Sequence, residues 1–150
     1  MHSITKGLLA GAAGTLALDV VTYGDMLLRG RPSSSVPAQV ADRLAGRAGV
    51  PLGDGEERDN RTQAAGALMG YATGVAAGAA YGLLRDRRPP LPDWAAGPLL
   101  AAAVMAGANA PATVLGLTDP TSWDMPSWVS DVVPHLVYGL TTAAAYRALR

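Results

Sequence analysis

Charge is distributed unevenly along this chain: long windows exclude it and short ones collect it. Residues 62–84 and 94–117 contain no charged side chain. As a helix, each window is long enough to cross a hydrocarbon core of about 30 Å. Two weaker windows flank them: residues 7–28 carry Asp19 and Asp25, and residues 127–149 carry Asp131, His135 and Arg147. A soluble domain with one mixed surface would not need this segregation, although an alanine-rich soluble bundle is the competing reading. The pattern predicts an all-α fold, a four-transmembrane-helix bundle in a single membrane domain, with spans over 4–28, 62–84, 94–117 and 127–149.

The second window has a second periodicity. Gly66, Gly70, Gly74, Gly78 and Gly82 recur at every fourth position. In a soluble helix each glycine would cost roughly 0.8–1 kcal/mol against alanine. Among lipid tails, helices associate through close van der Waals contact instead, and a ladder of small residues lets a neighbouring backbone approach. Gly7, Gly11 and Gly14 give the first span a similar face. These faces predict glycine-rich helix contacts and a possible homo-oligomer.

Between the first two spans, residues 35–48 place Val36, Val40 and Leu44 on one stripe after a run of serines and Pro37. This predicts a short amphipathic helix that lies in the interface or covers the bundle mouth. Glu57 and Arg61 have the spacing of an ion pair if the helix has already begun there. Asp86, Arg87, Arg88, Pro89, Pro90 and Pro92 form a short basic turn, which predicts that spans two and three are antiparallel neighbours. Trp94, Trp123 and Trp128 fit the headgroup level. Gly74, Ala79, Ala80, Tyr81, Leu84 and Arg85 align without a gap on Gly139, Ala144, Ala145, Tyr146, Leu149 and Arg150, and Gly7, Leu9, Ala12, Ala13 and Asp19 on Gly97, Leu99, Ala102, Ala103 and Asn109. A duplicated hairpin is one reading of this, chance matching in an alanine-rich chain the other.

The 12 basic and 12 acidic residues balance. Nucleic-acid binding, which needs a clustered basic face, is not expected. No cysteine is present, so disulfides and thiolate metal sites are excluded. Basic residues flank both sides of the spans. Those nearest the spans favour cytoplasmic termini in a bacterial plasma membrane, and membrane lipid is the expected partner.

Counted from the side of the long loop, Asp19, Tyr71, Asn109 and His135 each stand about eight or nine residues inside a span, roughly 12–14 Å deep at 1.5 Å per residue. Tyr23 lies on the Asp19 face, and Asp131 and Tyr138 lie on the His135 face. These seven residues form a candidate polar layer. Intramembrane ionisable groups are expensive and normally face the bundle interior or water. One reading makes the layer interhelical glue within a non-enzymatic packing or assembly subunit. A second makes it a path or site for a proton or cation, with Asp19 and His135 as carriers. Pro111 and Pro134 add to the second reading, because each frees the carbonyl four residues earlier. Asp131 and His135 could supply two metal ligands, but His2 is the only other histidine, so no metal site or cofactor is expected. An intramembrane or lipid-modifying enzyme is a third reading, weakened by the lack of HExxH, GxSxG or a phosphate loop, and by lone serines such as Ser130.

The stretches GLLAGAAGTLALDVVTYGDMLLRGRPSSSVPAQVADRLA, DGEERDNR, TDPTSW and SDVVPHLVYGL resemble those of a group of small actinobacterial membrane proteins with no assigned activity. The resemblance covers nearly the whole chain. It implies the four-helix topology and carries no catalytic or binding residue with it.

Overall fold

A computed structural model describes residues 2–87 and 91–149. They form five helices and no strand: α1 (Ser3–Arg29), α2 (Val36–Ala48), α3 (Gly55–Arg87), α4 (Asp93–Val114) and α5 (Met125–Ala148), with one 3-10 turn at Pro120–Ser122. The amphipathic helix is present, and a left-handed Gly49 at φ 68° ends it. α3 begins earlier than its apolar window, because the DGEERDNR run is helical; Arg61 meets Glu57 at 2.6 Å. Residues 88–90, most of the expected basic turn, lie outside the described residues.

Three helices are long and apolar enough to cross a membrane: Ser3–Arg29, Gly55–Arg85 and Trp94–Val114. This is a membrane protein by that measure. α5 has the length, at 24 residues, but Asp131, His135 and Arg147 lower its hydropathy. Its polar content is compensated by packing, since Tyr138, Thr142, Ala143 and Tyr146 are among the most buried side chains described.

α1 packs along both α3 and α5, α5 packs on α4, and α2 lies on α3 and reaches α4. The order around the bundle is therefore α3, α1, α5, α4. Glycine decides the tightest seam. A Cβ on Gly11 would stand 2.8 Å from the Gly74 carbonyl, and one on Gly78 would stand 2.5 Å from Gly11 Cα. At α4 and α5 the corresponding approach joins Gly97 and Gly139, where a Cβ on Gly139 would stand 2.8 Å from Ala101 N. Backbones this close leave no space for a methyl group. The ladder on α3 is divided among partners: Gly74, Gly78 and Gly82 meet α1, whereas Gly66 meets α2 at Pro37. Gly70 has nothing within 4 Å of a would-be Cβ.

α3 and α4, joined by the short connection, do touch, but over far fewer residues than α1 does with α3 and α5. The small face of α3 is already taken by α1, and α2 sits against α3 and α4 both. The duplicated-hairpin pattern makes this gap visible. It relates α1 to α4 and α3 to α5, and the matched rings Tyr81 and Tyr146 touch edge to face at 5.4 Å. Under that relation the α1–α5 contact should have a counterpart between α3 and α4. The first is closed and the second is open.

Candidate functional site

The open seam leads into a cavity of about 450 Å³ bounded by all five helices. Every residue of the predicted polar layer lines it: Asp19 and Tyr23 from α1, Tyr71 from α3, Asn109 from α4, and Asp131, His135 and Tyr138 from α5. α2 contributes Val36, Pro37, Val40 and Leu44, so its apolar stripe forms part of the wall toward the long loop. α2 is fixed there by two features. Its backbone is seated on Gly66, where a Cβ would stand 2.7 Å from Pro37 C. Arg58 also donates two hydrogen bonds to the Asp42 carboxylate, at 2.8 and 2.9 Å. The guanidinium holds the Asp42 carboxyl below its ordinary range.

Within the cavity the layer divides into two groups. On α4 and α5, Asn109 Nδ2 donates to Asp131 Oδ2 at 2.7 Å. His135 Nδ1 lies 2.7 Å from the Asp131 carbonyl and 3.5 Å from its carboxylate. On α1 and α3, Asp19, Tyr23 and Tyr71 line the same wall. Asp131 thus pairs inside its own half of the chain, with Asn109. The exposed rings of Tyr23 and Tyr71 line the open part of the space. Among the described residues, no lysine or arginine lines it.

The floor is closed. Tyr138 is fully buried and its hydroxyl donates to the Gly74 carbonyl at 2.6 Å, crossing between α5 and α3. Thr15 sits beside it with its hydroxyl on the Gly11 carbonyl at 2.9 Å. Beyond lie the glycine contacts of α1 and α3, so the cavity has one accessible end and a lateral seam.

Sequence reading passed over a second charged group near the cavity end. Asp25 accepts from Arg29 at 2.6 Å and from Arg31 at 2.5 Å, and Arg29 also donates to Ser130 on α5. The spacing of Asp25 and Arg29 was a legible signal for half of this cluster; the contact with Ser130, 101 positions away, was not. Ser130 itself donates to the Pro126 carbonyl at 2.7 Å, so its hydroxyl hydrogen is engaged without a base. Among the described residues, no group of three or more His, Cys, Asp or Glu side chains is placed to hold a metal ion.

Comparison with known protein families, with curated proteins and with solved structures finds no match.

Proposed function

We propose that this chain is a four-span bacterial plasma-membrane protein that takes up a cation between the two halves of its bundle and acts as a small cation carrier. α5 is the fourth span in this reading: its ionisable groups turn inward to the cavity, where they need not face acyl chains. One observation carries the functional part. Asp19 and Asp131 line a single cavity, and among the described residues no lysine or arginine does. Interhelical glue would be fully packed; this layer instead lines a cavity joined to the surface. The arrangement is open toward the long loop and closed at Tyr138 and Gly74, which is a state that loads from one side. The exposed apolar faces of α1 and α4, including Leu16, Val20, Leu99 and Val114, meet lipid.

A hydrophobic carbodiimide tests this in nanodiscs, since it modifies carboxyl groups held in apolar surroundings. The expected result is modification at Asp19 or Asp131, mapped by mass spectrometry and slowed at least threefold when a cation occupies the cavity. If sodium, potassium and tetraphenylphosphonium all leave the rate unchanged, the cation reading is wrong and the packing-subunit reading takes its place.

A further inference from the structure

Resting on that reading, we infer that the cation is a bulky amphipathic organic one, such as a lipophilic quaternary ammonium or phosphonium compound, bound with its charge between Asp19 and Asp131. Three properties of the cavity select this class over a bare ion. Size is the first. A water molecule occupies about 30 Å³ in the liquid, so a space of about 450 Å³ would hold a bare ion loosely among many waters. It lies within the range of about 300–1,000 Å³ typical of organic ligand pockets. Wall chemistry is the second. Leu18, Val40, Leu44, Met69 and Val104 supply apolar surface, which would not coordinate sodium or potassium but does cover hydrocarbon. A hard cation wants about six or more oxygen ligands close together; here one carboxylate, Asp131, is engaged by Asn109, and the other, Asp19, comes from a different helix.

The aromatic side chains are the third property. Tyr23 and Tyr71 keep 60% and 47% of their surface free and line the same space as Asp19. Ring faces attract a diffuse organic cation, the more strongly the more it is desolvated. The seam also fits the ligand's route. Gly70 on α3, and Gly107 and Ala108 on α4, line the cavity where the two helices stand apart. Small side chains there leave a lateral gap through which an amphipathic molecule reaches the acids from the acyl region.

Equilibrium binding of radiolabelled tetraphenylphosphonium to the protein in nanodiscs tests the inference, with empty nanodiscs subtracted. The expected result is one saturable site per chain, weakened at least tenfold in Asp19→Asn and in Asp131→Asn. Gly70→Leu keeps the charges and fills open space, since nothing lies within 4 Å of its Cβ position. It should weaken binding at least fivefold while leaving thermal unfolding intact, so a loss of binding there is not a loss of fold. Saturable binding that all three variants retain would place the site elsewhere and overturn the inference. Absence of saturable binding, with sodium or potassium still slowing carbodiimide modification, would overturn the organic-cation assignment alone. If no cation of either kind binds or protects, the cation reading beneath it falls as well.

Discussion

Gly70 and Gly78 stand two turns apart on one helix in the same ladder, and the structure gives alanine opposite effects at the two positions. At Gly78 the new methyl would lie 2.5 Å from Gly11 Cα and 2.7 Å from Gly11 N, where ordinary contact begins at 3.4 Å. Both neighbours are backbone, so no side chain can rotate away. α1 must retreat from α3 by about 1 Å, and a gap of that size forfeits about a quarter to a half of each dispersion contact along the seam. Overpacking of this kind costs about 1–3 kcal/mol. Alanine returns roughly 0.8–1 kcal/mol through helix propensity. The net expectation for Gly78→Ala is destabilisation by up to about 2 kcal/mol. At Gly70 only the propensity term acts, and Gly70→Ala should be neutral or stabilised by up to about 1 kcal/mol. Reversible unfolding in mixed micelles, driven by increasing dodecyl sulfate, reads both variants on one scale. Equal shifts for the two, or a larger loss at Gly70, would refute the division of the ladder into a packed part and an open part.

Tyr138→Phe removes the hydroxyl that ties α5 to the Gly74 carbonyl at 2.6 Å; a loss of about 0.5–1.5 kcal/mol is expected in the same unfolding assay, and no change would mean that the floor is not held by this bond. The Asp42–Arg58 tie should show in acid. Because Arg58 depresses the folded pKa of Asp42 below 3.8, the stabilisation is fully present above that value and is lost as pH falls through the lowered one. Spin-label distances between α2 and α3 should therefore hold at pH 3.8 and lengthen only in stronger acid, and Asp42→Asn should abolish that transition. Lengthening that persists in Asp42→Asn would assign it to another group.

Much of this arrangement was legible in the order of residues. Charge exclusion marks α3 and α4, and α1 more weakly, because a helix in lipid must keep such groups away from acyl chains. Equal depth brought Asp19, Tyr71, Asn109 and His135 to one level because helix rise is fixed, and all four line one space. What depth cannot give is azimuth around the helix axis. That is why the pairing of Asn109 with Asp131 came only from the fold. The short connection after α3 pointed to a close α3–α4 pair, yet helix order is set by which faces fit. Gly7 and Gly11 fit α3 more closely than α4 does. Gly70 looks the same as Gly74 in sequence; only the neighbour that α2 and α1 leave absent distinguishes it. α5 was read as a span despite Asp131, His135 and Arg147, and hydropathy alone does not single it out.

The natural lack of cysteine permits the most direct test of the central claim, that the acids border a hydrated space within the membrane. Single cysteines at positions 70 and 108 in the cavity and at position 16 on the outer face of α1 would be exposed to water-soluble thiol reagents in intact membranes. The account predicts that residues 70 and 108 react, that a cationic methanethiosulfonate reacts at least fivefold faster than an anionic one, and that residue 16 stays unreactive. Cavity positions as inert as residue 16, or a preference for the anionic reagent, would contradict it.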